Sequence, residues 1–83
     1  MKTYKSHKTV KAAKILSAEK QSDGRWHFMK EGENGPVPDT TTKDEAARFK
    51  ISEGDLGYVV WYADGYVSWS PTKAFEEGYE EVK

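Results

Sequence analysis

Cysteine is absent from the sequence, which has 83 residues. No disulfide can staple the fold, and no thiolate zinc site or cysteine nucleophile is available. Histidine is scarce, with His7 and His27 as the pair. Two imidazoles are too few for a metal cage built from protein alone. Long apolar runs are missing as well. No segment approaches the roughly 20 apolar residues of a membrane span. No signal-length apolar run follows the basic start. The expectation is a protein that stays in the compartment where it is made, binds no metal and carries no cofactor.

Aromatic residues are plentiful by contrast: three Trp, five Tyr and three Phe. Each buries on the order of 150–250 Å². A chain of this length forms one domain, 1–83, and buries only about 60% of its unfolded surface. Aromatic packing must therefore supply most of its stability.

The net charge of −1 hides a split. Residues 1–30 carry eight Lys/Arg against two acids, and residues 31–83 carry five against twelve. Such asymmetry marks a nucleic-acid arm, an acidic interaction face, or two halves that attract each other inside one fold. The third reading is the plainest, since surface charge is mostly solvation and weak pairing.

Residues 1–8 are polar and read as a frayed start. Residues 9–19 read as helix by propensity, being rich in Ala, Lys, Leu and Glu, yet they lack a wide helical stripe. Gln21 to Gly24 is a turn cluster. Trp26 and Phe28 alternate within 25–30, a short strand signal that turns His27 outward. Residues 31–41 hold two Gly and two Pro and read as an exposed loop. Residues 42–50 suit a short helix, capped by Thr41 or Thr42, with Asp44 and Glu45 at the positive end of its dipole. Ser52 to Asp55 is a second turn.

The stretch 57–82 is the most informative. Residues 57–63 form a strand by β-branched and aromatic content. Asp64-Gly65 reads as a two-residue turn, and 66–70 returns. That register sets Val60 opposite Trp69 and Trp61 opposite Ser68. Tyr58, Val60, Tyr62, Val67 and Trp69 then share the core face. Trp61, Tyr66 and Ser68 share the other. Ser70 is placed as the cap of a helix that starts at Pro71 and ends at Gly78 in a left-handed turn. Tyr79 to Val82 suits a last strand.

The run Gly57-Tyr-Val-Val-Trp-Tyr-Ala-Asp-Gly-Tyr-Val-Ser-Trp-Ser-Pro-Thr-Lys-Ala-Phe-Glu-Glu-Gly-Tyr79 resembles the C-terminal signature of a group of small phage and prophage proteins. Tyr4-Lys-Ser-His-Lys-Thr-Val-Lys-Ala12 is similar to their N-terminal segment. The likeness covers about 30 residues at one end and about ten at the other, by pattern reading alone. Those relatives often carry Pro soon after the Lys-Ala pair, which favours a strand for 9–16. The group has no established activity. The resemblance implies an accessory protein acting in the bacterial host cytoplasm, and such proteins are often inhibitors of host machinery, including anti-CRISPR and other anti-defence factors.

The fold class expected is α+β and mainly β. It is a small curved antiparallel sheet, an SH3-like half-open barrel being the specific expectation, with one or two short helices. The first strand is expected beside the last, near the hairpin. Candidate partner-binding residues are Trp61, Tyr66 and Ser68 as an aromatic patch, because Trp and Tyr dominate binding hot spots. Asp44, Glu45, Glu53, Asp55, Glu76 and Glu77 could imitate the phosphates of DNA toward a nucleic-acid enzyme. Turn, strand and cap chemistry also explains the first set, and a solvated face explains the second. Lysines at 2, 5, 8, 11 and 14, with Trp26 or Trp61, leave direct nucleic-acid binding as the alternative. A homodimer is compatible with so thin a core. No Gly-rich phosphate loop or Ser-His-acid spacing supports an enzyme.

Overall fold

The second strand decides the architecture. In the structure, a computed structural model describing residues 2–5 and 9–81, β2 runs over Thr9–Lys20. Val10 and Ala12 are buried on one face, and Ala13 and Ile15 on the other. Apolar neighbours buried on opposite faces fit an extended strand inside a layered fold and not a one-sided helix. Tertiary burial thus overrides the helical propensity of these residues.

Among the described residues six further strands join it in one antiparallel sheet: β1 (Lys2–Lys5), β3 (Trp26–Gly32), β4 (Gly35–Thr40), β5 (Tyr58–Trp61), β6 (Val67–Ser70) and β7 (Glu80–Glu81). Two short helices join them, α1 (Lys43–Ala46) and α2 (Thr72–Gly78). The fold class is therefore α+β and mainly β, as the sequence suggested. Among the described residues the sheet is open: β4, β6 and β7 each pair on one side only. Among the described residues no helix is long and apolar enough to cross a membrane.

A bulge between Ile15 and Ser17 bends β2, as an extra residue does. β2 pairs with β1 and β5 up to Lys14, and with β3 from Ile15 onward, across the bulge. β1 pairs in turn with β7, Lys5 opposite Glu80. The strand beside the last one is thus Lys2–Lys5, inside the segment expected to fray. The longer β2 lies against the hairpin instead.

Each face of the β2–β5 centre has its own core. Val10, Ala12, Tyr58 and Val60 pack under α2, whose buried residue is Phe75. Its ring stacks between Tyr58 and Tyr79, with centroids 4.3 and 4.6 Å away. On the other face, Ala13, Ile15 and Val59 meet Phe28 and Phe49, with Trp26, Trp61 and Trp69 half-buried around them.

The hairpin register differs from the expected one by one residue. Val59 faces Trp69 and Trp61 faces Val67. The Gly65 N–H donates to the Tyr62 carbonyl at 3.0 Å, and the Tyr62 N–H to the Tyr66 carbonyl at 2.9 Å. The loop therefore holds Ala63, Asp64 and Gly65, three residues with Gly65 at φ +92°. This is a turn followed by a glycine bulge, the commonest three-residue hairpin. Because side chains alternate, the one-residue shift exchanges faces. Trp61 and Trp69 lie on the same face, with Val59 and Val67. Tyr66 and Ser68 lie on the other, with Tyr58, Val60 and Tyr62.

Three local expectations also change. Residues 31–41 are not a loop, because 35–40 form β4, paired with β3 from Gly32 opposite Gly35 to His27 opposite Thr40. An edge strand tolerates proline, which an inner strand does not. Ser70 does not cap α2. The Asp55 carboxylate does, accepting from the Thr72 N–H at 3.0 Å and the Thr72 hydroxyl at 2.7 Å. Gly78 does not end α2 in a left-handed turn; Tyr79 closes it in extended conformation at φ −131°. Thr42 caps α1 as expected. Its hydroxyl accepts from the Glu45 N–H, and the Glu45 carboxylate accepts from the Thr42 N–H.

Candidate functional site at the hairpin tip

The register separates the expected aromatic patch. Trp61 turns toward the inner face, where the Lys30 ammonium sits 4.7 Å from its ring centroid. Lys30 is itself tied to Asp39 at 2.9 Å. Ser68 is half-buried in mid-strand, on the face opposite Trp61. Tyr66 alone of the three stands out at the surface, 47% exposed.

The tip holds Tyr66 firmly. The Arg48 guanidinium lies 4.4 Å from its ring centroid. Arg48 is fixed in turn, donating to the Val67 carbonyl from Nε at 3.0 Å and Nη2 at 2.8 Å. A third bond, Nη1 to the Asp44 carbonyl at 3.3 Å, completes the clamp. The Tyr66 N–H donates to the Asp64 carboxylate at 2.9 Å. Tyr62 leans on Tyr66 with centroids 5.9 Å apart. Partial burial pushes the Tyr62 phenol above its ordinary pKa, and its neighbours Tyr79 and Tyr66 push the same way. Thr9, Tyr62, Ala63, Asp64 and Tyr66 line an open groove of about 640 Å³.

Of the six acids singled out, four meet elsewhere. Glu53, Asp55, Glu76 and Glu77 line a groove between the 52–55 turn and α2, together with Lys14 and Lys73. Their work is partly structural. Asp55 caps α2, and its bonds from Thr72 hold its carboxyl below the ordinary value. Glu76 accepts from the Tyr58 hydroxyl at 2.7 Å. Glu45 belongs to the α1 capping box, and Asp44 lies beside it in the first turn. The acids do not form one continuous face.

The lysine row is scattered too. Lys2 pairs with Glu31 at 3.5 Å. Lys11 and Lys14 sit three positions apart on a strand and so point to opposite faces. Lys8 and His7 lie outside the described residues. His27 points outward as expected, its Nδ1 3.1 Å from the Thr40 hydroxyl. Among the described residues no group of three or more His, Asp or Glu could hold a metal.

Arg48 and Tyr62 escaped the sequence reading. Tyr62 would have been found with the three-residue loop, which Gly65 also permits. Nothing in the sequence announces Arg48, one of three cations among residues 42–50 and set just past the end of α1. Comparisons with family models, curated proteins and solved structures give no match to this chain.

Proposed function

We propose that this chain is a phage-encoded accessory protein that binds a host protein through the β5–β6 tip and inhibits it. The observation that carries the reading is Tyr66. Its ring is exposed, yet it is clamped by Arg48 and fixed at its backbone by Asp64. A rigid exposed aromatic contributes contact area at little entropic cost, the property shared by binding hot spots. The fold gains little from it.

Binding is favoured over catalysis because Asp55, Glu76 and Glu45 are occupied in holding the fold. A general acid or base must be available to a substrate proton. Direct nucleic-acid binding is disfavoured by the divergent Lys11 and Lys14. The phage resemblance suggests host defence of the anti-CRISPR kind as the target.

The test is plating of a targeted phage on cells with active CRISPR immunity. Expression of the chain should restore plaques, and Tyr66→Ala should abolish the effect while the chain stays folded. No rescue by the unmodified chain, or full rescue by the variant, refutes the proposal.

A further inference from the structure

The outer edge of β4 carries no free backbone donor. The Thr41 N–H donates to the Trp26 carbonyl at 2.9 Å and sets the alternation of the ladder. In this register Asp39, Val37 and Gly35 face β3 with their backbone groups. Pro36, Pro38 and Thr40 therefore turn theirs outward. Two of these three are prolines and have no N–H. The third N–H, that of Thr40, donates to the Asp39 carboxylate at 2.8 Å. The other oxygen of Asp39 is held by Lys30 at 2.9 Å, so the carboxylate is fixed in that pose.

An incoming strand needs alternating donors and acceptors. This edge offers carbonyls only, and the proline rings stand where the newcomer's carbonyls would come. The β6 edge is treated in a related way. The Tyr62–Tyr66 bond sets its alternation, which turns the Val67 carbonyl outward. Arg48 covers that carbonyl with two N–H groups.

We propose that Pro36, Pro38 and the Asp39–Thr40 bond close the β4 edge to strand addition, and keep the chain from pairing with its own copies. The guard is needed because Val37, 41% exposed, sits in the middle of that edge. An open β-edge with an exposed valine is a template for self-association. The inference does not depend on the host-inhibitor reading and is tested on the chain alone.

The double variant Pro36→Thr/Pro38→Thr restores two outward donors at exposed positions. Sedimentation velocity over a concentration series is the assay, with hydrogen exchange at positions 36 and 38. The unmodified chain should stay at the mass of one copy throughout. The variant should shift toward the mass of two as concentration rises, with its new amides becoming protected. A folded variant that remains a single copy overturns the proposal, as does an unmodified chain that dimerises with β4 protected. If circular dichroism shows the double variant unfolded, Pro38→Thr alone is read by the same criteria.

Discussion

Gly57 and Gly65 both sit at positive φ, +73° and +92°, yet replacing them with alanine should have very different costs. At Gly65 a Cβ would meet nothing within 4 Å. Its cost is the left-handed strain alone, about 1–2 kcal/mol. At Gly57 a Cβ would lie 2.5 Å from the Trp69 indole nitrogen and would also strike the Ser70 carbonyl oxygen. Neither can yield cheaply. The indole N–H is bonded to the Leu56 carbonyl at 2.8 Å, and Ser70 is paired with Tyr58 in the hairpin. Strain, overpacking and the lost indole bond together bring Gly57→Ala to roughly 3–6 kcal/mol. A domain of this size has about 5–15 kcal/mol in all, so the variant should sit near the edge of folding. Urea titration followed by tryptophan fluorescence measures both. The Gly57→Ala midpoint should fall at least twice as far as that of Gly65→Ala, with m unchanged. Equal losses would show that the close approach of Trp69 to Gly57 does not constrain the fold.

Other consequences are open to direct measurement. Phe75→Ala removes the only buried side chain of α2 and both of its stacking partners' contacts, and should cost about 3–5 kcal/mol by urea titration. Asp55 has a lowered pKa when folded, so the unfolded chain binds more protons across that interval. Its contribution to stability is present above the ordinary carboxyl value and is lost as pH falls through the folded one; Asp55→Asn should flatten the acid limb of a pH–stability curve. Tyr66→Ala should cost no more than about 1 kcal/mol, the loss of surface contacts to Arg48 and Tyr62. Spectrophotometric titration should show a phenol ionising above the usual tyrosine range, absent in Tyr62→Phe.

What the sequence revealed follows from where local chemistry is strong. A threonine cap at 41 or 42, the 52–55 turn, the alternation at Trp26 and Phe28, and the hairpin at 57–70 all rest on signals a few residues long. The failures lie where a distant partner decides. β4 looked like a loop because proline and glycine punctuate it, and only an edge position makes Pro36 and Pro38 compatible with pairing. The cap of α2 looked like Ser70, the adjacent residue, but Asp55 reaches across from the 52–55 turn. The hairpin loop length was ambiguous, since Asp64-Gly65 serves a two-residue turn and a three-residue turn with a glycine bulge equally well. That single ambiguity moved Trp61 into the half-buried face and broke up the expected patch.

The charge split has a physical resolution in the fold, and this isolates the tip as the feature left to explain. Lysine-rich β1 lies beside acidic β7, with Lys5 opposite Glu80. Lys14 shares its groove with Glu53, Asp55, Glu76 and Glu77. Lys2 reaches Glu31 across the meeting point of β1 and β3. Part of the asymmetry between the two halves is therefore complementarity within one fold, and an exposed pair such as Lys2–Glu31 adds little energy. Trp26, Trp61 and Trp69 line the inner core, and Tyr58, Phe75 and Tyr79 stack through the outer one. Tyr66 belongs to neither. Three hydrogen bonds from Arg48 hold that guanidinium against its ring. An exposed ring ordered in this way would meet a partner at little entropic cost, which is what the proposed recognition at the tip draws on.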